Sequence, residues 1–360
     1  MMMQIHLNED DLRDKDGKPI TAKKALEMLG FSIEDLRDEK GNLPPKITIR
    51  FVKNGAGILT DKEDKTGVRT VKAESHKVAN DKVTAKFFNP TTKQWERGLM
   101  NIWENPNDKK RKKEIITPIT FKSIEEGKIV PRCNSFDRAV FTACYSLQAA
   151  GNLATTTDII FAHMTGKDGR ARPSDEMRRK IKDSIIKMSG CWVKIDTEEV
   201  NSAYGYKAEN TIEEGQLLYA RFKQTVVNGK TTNDAVIFVD TSPLVKVAET
   251  RNQILSYPME LLDVPVSASE ESIIVREELL RRIYIMLNHG TEKSIRFKSL
   301  LEPIGYENMT KAEKLRERKK VIKMLDTWKA KGLFKDYTIK KDGNIPVKIV
   351  IDTGRARAGK

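Results

Sequence analysis

Residues 310–332 read TKAEKLRERKKVIKMLDTWKAKG, and YTI (337–339), KDGN (341–344) and VKIVI (347–351) follow them. Thr310 is a natural helix cap and Gly332 a natural stop, and two short β-branched runs around Asp342-Gly343 make a hairpin. With Leu325 at the centre of the buried stripe, a step of ~100° per residue puts Val321, Ile322 and Trp328 beside it. Arg316, Lys319, Lys320, Lys323 and Thr327 then face the opposite way. Upstream, EESIIVREELLRRIYIML (270–287) has helical apolar spacing, and FKSLLEPIG (297–305) reads as a second, shorter helix. The order is helix, helix, helix, hairpin.

Further upstream the same order recurs. SFDRAVFTACYSLQAA (135–150) places Phe136, Val140, Phe141, Cys144 and Leu147 at helical spacing, and Gly151-Asn152 ends it. The run Thr155-Thr156-Thr157 caps a helix carrying Ile159, Ile160, Phe161 and Met164. Ser174 caps a third helix (174–189) with the stripe Met177, Ile181, Ile185 and Met188, and Trp192–Ile195 leads into a strand. LLYARFKQTVV (217–227) and DAVIFVD (234–240), joined through Asn228-Gly229-Lys230, read as a hairpin. This element order is that of a winged helix, so the fold expected is α+β, with two tandem winged-helix domains at 131–255 and 269–354.

Four more runs read as strands, at 46–52, 66–72, 82–88 and 115–121, so residues 1–130 are expected to form a β-rich accessory domain. A stretch from 20 to 38 is helical with a break at Gly30, and Trp95 and Trp103, eight apart, fit one helical face. Pro258 and Pro265 mark 256–268 as a defined linker, and 355–360 is a basic tail.

The chain of 360 residues carries a formal charge of +14, unevenly spread. Residues 266–360 hold 22 Lys and Arg against 13 Asp and Glu, and 51–130, with the run Lys109-Lys110-Arg111-Lys112-Lys113, hold 17 against 11. The span 131–265 is balanced at 17 against 17. A domain-scale basic field suits a polyanion, so double-stranded DNA is the expected partner.

On the third helix of the second repeat, the outward Arg316 suits guanine reading and Lys319, Lys320 and Lys323 suit phosphates, with Thr327 beside them. In the first repeat, Arg179, Asp183 and Ile186 face outward with Lys180, Lys182 and Lys187 on the flanks, a less basic face. Arg170 and Arg172 precede that helix, whose free N–H groups suit a phosphate. The hairpins add Lys223 and Lys230 in the first repeat and Lys340 and Lys341 in the second.

Catalytic chemistry finds little support. Gly229-Lys230-Thr231 lacks the glycine a phosphate-binding loop needs five positions earlier, where Gln224 stands. His6, His76, His163 and His289 are far apart in sequence and form no paired metal motif, so a metal-dependent nickase is disfavoured and His163 reads as a satisfied polar residue. Cys133, Cys144 and Cys191 have no ligand spacing and read as buried hydrophobes of a reducing cytoplasm. The expectation is a cytoplasmic protein that is not an enzyme and uses no metal or cofactor. No apolar run is long enough for a membrane span.

The stretches TSPLVKVAETRNQILSYPMELLDVP (241–265), REELLRRIYIML (276–287) and VIKMLDTWKAKGLFKDYTI (321–339) resemble the tandem winged-helix replication initiators of theta-replicating plasmids and related mobile elements, over about 134–352. The resemblance implies a non-enzymatic protein that binds origin repeats, melts nearby DNA with host initiator and helicase proteins, and forms a homodimer that can repress its own promoter. It also implies that the first repeat carries dimer and backbone contacts and that the second reads bases. The first 130 residues have no counterpart in that pattern. A DNA-binding transcriptional regulator without a replication role, and a phage-type inhibitor that binds protein or RNA, are the competing readings.

Overall fold

The computed structural model of the chain describes residues 73–104, 115–128, 132–167, 172–205, 211–227, 230–289 and 294–354. The expected helix at 20–38, the strands at 46–52 and 66–72, the Lys109–Lys113 run, Arg170 and the tail 355–360 lie outside them. All the described residues belong to one compact unit beginning at Val71.

That unit opens with strand β1 (Ser75–Ala79), followed by α1 (Lys82–Phe87), α2 (Thr92–Glu96), β2 (Leu99–Glu104) and β3 (Ile115–Ser123). The run 82–88, expected as a strand, is therefore helical. Asp81 overrides its alternation: one carboxylate oxygen accepts the Thr84 N–H at 2.8 Å and the other the Thr84 hydroxyl at 2.5 Å, which caps α1. Nor do the two tryptophans share a helical face. Trp95 is buried in α2, and Trp103 lies on β2, half exposed. The turn between them needs Gly98, whose φ is +60° and whose missing Cβ would sit 2.6 Å from the Phe121 carbonyl oxygen.

Next come α3 (Ser135–Ala149), β4 (Ala154–Thr156), α4 (Thr157–Thr165), α5 (Asp175–Ser189), β5 (Cys191–Asp196), α6 (Glu198–Tyr204), β6 (Ile212–Gln216), β7 (Ala220–Val227) and β8 (Lys230–Phe238). Asn134, Thr156 and Ser174 cap α3, α4 and α5 through their side chains, as short polar residues before apolar runs should. Two antiparallel sheets result, with strand orders β4-β8-β7 and β2-β3-β5-β6. Val83, Phe87, Phe88, Trp95, Met100, Ile119 and Phe121 share one core with Phe141, Ile160, Ile181 and Val236. The residues from 73 to 123 thus belong to the same body as the first three-helix repeat, where the sequence reading places a boundary near 130.

After α7 (Pro243–Thr250), the segment expected as a linker contains strand β9 (Ile254–Pro258) and a 3-10 turn, Met259–Leu262. Strand β9 pairs antiparallel with β1, with His76 opposite Tyr257. A second core joins Val78, Tyr257, Leu261 and Leu262 to the last part of the chain, namely α8 (Glu270–His289), β10 (Ser294–Arg296), α9 (Phe297–Leu301), α10 (Lys311–Ala330), β11 (Asp336–Asp342) and β12 (Ile345–Asp352). The sheet β10-β12-β11 repeats the order of β4-β8-β7: in each, the short strand after the first helix pairs with the last strand of the ribbon.

Candidate nucleic-acid interface

Helix α10 is fixed by its sequence at both faces. Thr310 and Glu313 form a reciprocal capping box, and Val321, Met324, Leu325 and Trp328 are fully buried. Arg316, Lys319 and Lys323 are exposed on the far side. Glu317 sits among them and is buried: Lys320 Nζ lies 2.9 Å from its carboxylate, and Arg316 Nε 3.4 Å. Lys320 is therefore drawn onto the helix, whereas Arg316 keeps two-thirds of its side chain in solvent. The Thr327 hydroxyl donates to the Lys323 carbonyl at 2.8 Å, a local bond that leaves it less to offer a ligand. Two further cations escaped the sequence reading. Lys314 and Arg318 flank the Tyr306 ring at 5.2 and 5.5 Å from its centroid, and Arg318 also bonds the phenol oxygen.

Beyond the helix, β11 and β12 form a ribbon closed at Gly343-Asn344, with a register shift between Lys340 and Lys341, both exposed. Lys340 pairs with Lys348 across that ribbon, and on the other edge of β12 Arg296 pairs with the same Lys348. Neither Arg296 nor Lys348 was expected at a site, because their apposition depends on a strand register no local pattern reveals.

The corresponding face of α5 is different. Arg179, Asp183 and Ile186 are exposed as expected, with Ile186 about half in solvent. Its other cations face acids or rings of the same chain. Lys180 Nζ is 3.2 Å from Glu176 and 2.8 Å from Glu270, and Lys182 lies 5.2 Å from the centroid of Phe222. Lys187 reaches the buried Asp137 at 2.9 Å, and the Ser184 hydroxyl donates to that same carboxylate at 2.7 Å. Arg178 spans Asp158 and Asp175, whose hydrogen bonds push its pKa up. Arg172 and Lys223 are exposed, and Lys230 opens β8.

The two repeats meet through a dense seam. The buried Arg276 of α8 donates to the Met164 carbonyl at the end of α4, and Trp328 Nε1 donates to the Leu261 carbonyl at 2.7 Å. Gly166, at φ +65°, ends α4 against the connecting segment: a Cβ there would lie 2.5 Å from the Asp263 nitrogen. His76 and His163, far apart in sequence, touch through their ring nitrogens at 3.0 Å, and His76 lies 3.0 Å from Glu277. Burial, then the neighbouring His76, hold His163 well below the ordinary histidine pKa. Burial pulls Glu277 upward, but His76 and Arg276 together keep it below the usual carboxylate value.

Among the described residues no group of three His, Cys, Asp or Glu is placed to hold a metal, and no helix is long and apolar enough to cross a membrane. Cys133, Cys144 and Cys191 are buried free thiols, and burial pushes Cys191 up to about 12.

No protein family and no curated protein matches the chain. Two solved structures of domains 2 and 3 of RctB are similar in fold at a distance. One has a TM-score of 0.40 at 13% identity over 71% of this chain and 91% of that one. The other, a selenomethionine derivative, has 0.37 at 14% identity over 72% and 92%.

Proposed function

We propose that the protein is a sequence-specific, double-stranded DNA-binding replication initiator, acting without catalysis of its own, and that each three-helix-and-ribbon repeat is a winged helix. The observation that carries the reading is α10. It stands third in its repeat, buries one face completely and turns Arg316, Lys319 and Lys323 into solvent beside a ribbon that carries Lys340 and Lys341 on its first strand. A helix of that kind fits a major groove, and a flanking ribbon reaches the adjacent backbone. The duplication of the repeat supports recognition of two half-sites. The seam supports a fixed spacing between them, since β1 and the connecting segment pack against both repeats. An origin-binding role rests on the resemblance of 241–265, 276–287 and 321–339 to plasmid initiators.

In this reading Arg316 reads a base and Lys319 and Lys323 hold phosphates. Lys320 contributes mainly through Glu317, and Lys187 is a structural residue of α3 and α5. Arg179 is the cation that α5 offers DNA, with Arg170, Arg172, Lys230 and Thr327 in lesser parts. Homodimerisation, host initiator and helicase partners and a cytoplasmic location belong to the same proposal. Selection from a random duplex library at about 0.15 M salt tests it. A motif with two half-sites at one fixed spacing is expected; recovery of no motif by folded protein overturns the reading, and dependence of an origin plasmid on the protein separates an initiator from a regulator.

A further inference from the structure

On the C-terminal sheet, Arg296 of β10, Lys348 of β12 and Lys340 of β11 stand at one register level, because Lys348 is the ladder partner of both others. Directly opposed residues of antiparallel strands project from the same face, and like charges so placed are destabilising. The next level confirms which face this is: Ile295 and Ile349 are a buried pair on the opposite side. None of the three cations makes an ion pair with a described residue. Positive residues on edge strands deter aggregation, which accounts for Arg296 and Lys340. It does not account for Lys348, which lies on the central strand.

A fourth cation completes the arrangement. Arg282 of α8 lines the same groove of about 250 Å³ as Arg296, Lys348, Ser294 and Ser299. Its guanidinium is held in place: Nε donates to Glu278 at 2.7 Å, Nη1 to the Ser299 hydroxyl at 2.7 Å and Nη2 to the Ser299 carbonyl at 3.2 Å. Burial raises Glu278, but Arg281, Arg282 and Arg138 together bring it down to about 2, so one carboxylate answers several guanidiniums and the groove keeps a positive excess. At about 30 Å³ per water, the space takes a phosphate group with part of its hydration shell.

We propose that Arg282, Arg296 and Lys348, flanked by Lys340, form a phosphoryl-binding site, occupied by a backbone phosphate of the bound duplex. Guanidinium forks match phosphate oxygens, and the ammonium adds a point charge. In naming a duplex as the source of the phosphate, the site rests on the DNA-binding reading above; as a phosphoryl site it stands independently. It also adds a contact on the sheet, where the sequence offers only the ribbon lysines Lys340 and Lys341.

The test uses the full chain and the double variant Arg296→Gln/Lys348→Gln. Neither side chain caps a helix or pairs with an acid among the described residues, and their removal relieves repulsion, so the melting temperature is expected to hold or rise. Duplex binding is measured across salt concentrations, and thermal stability with and without pyrophosphate at matched ionic strength. The expected result is a slope of log affinity against log salt lower by about two in the variant, with the stabilisation by pyrophosphate lost. An unchanged slope with loss of that stabilisation overturns the duplex as the source and leaves a site for free phosphorylated ligands. No change in either overturns the site. If the wild-type chain binds no duplex at all, the DNA-binding reading falls, and the pyrophosphate arm still decides whether the groove is a phosphoryl site.

Discussion

Lys187 shows how far a residue's role depends on what it meets after folding. In sequence it is a flanking lysine on a basic helix; in the structure its ammonium neutralises Asp137, which is almost completely buried at the start of α3. Lys187→Met should leave that carboxylate with the Ser184 hydroxyl and the Asn134 N–H but no cation. We expect a loss of about 1–3 kcal/mol in unfolding free energy, less than for a fully buried pair because Lys187 is partly exposed. Duplex affinity of the folded variant should be unchanged; a lower affinity with unaltered stability would restore Lys187 to the interface. Gly166 is the complementary case, a residue defined by what it lacks. Gly166→Ala adds a Cβ at positive φ within 3 Å of the Leu262 and Asp263 backbone, and should cost about 2–4 kcal/mol by denaturant titration. Its pressure on a segment almost a hundred positions away is a tertiary fact that no local pattern carries.

At the scale of elements, legibility followed the locality of the signal. The third helix of the first repeat was expected at 174–189 and runs Asp175–Ser189, because the Ser174 cap and the apolar stripe both lie within it. The stretch 82–88 misled because its alternation fits a strand while the deciding group, Asp81, lies just outside the pattern. Ribbon strand β8 begins at Lys230, four residues before the apolar run, since ladder hydrogen bonds need no apolar side chains. The basic face of α10 was legible by the same stepping that found its buried stripe. What stepping could not supply was Glu317, a buried acid on the flank. It divides the helix's cations into two classes, and this can be measured. Arg316→Ala should lower affinity for the preferred site by about 1–3 kcal/mol and relax one base position. Lys323→Ala should weaken all sequences alike and reduce the salt slope by about one. Lys320→Ala should move the slope less than Lys323→Ala and stability more, because its ammonium already faces Glu317. Equal slopes for the two lysine variants would show that Glu317 makes no such division.

For the molecule as a whole, the decisive contacts are those that no window of sequence contains. Strand β1 pairs with β9, α8 reaches the end of α4 through Arg276, and His76 joins His163 to Glu277 in the interior between them. The repeats could be foreseen from their element order; the way they are locked could not, because strand pairing across more than 170 residues leaves no periodic trace. The lock should also sense pH. His163 has a folded pKa well below its ordinary value of 6.5, since burial and then His76 disfavour its charged form. The unfolded chain therefore binds a proton at His163 before the folded one does. Stability from this group is complete above pH 6.5 and falls as pH drops towards the folded pKa, by about 1.4 kcal/mol per unit. Glu277 and Glu278, both held below their ordinary value of 4.5, lose their contributions mainly at lower pH, which leaves the interval from 6.5 to 5 to the histidine contact. Urea unfolding across that interval should show wild-type stability falling more steeply than that of His163→Gln. Parallel curves would mean that His163 takes up its proton in the folded state without breaking the seam. If instead the curves diverge, duplex binding by the two proteins at pH 5.5 tests whether the proposed recognition of DNA depends on the repeats being held in one pose.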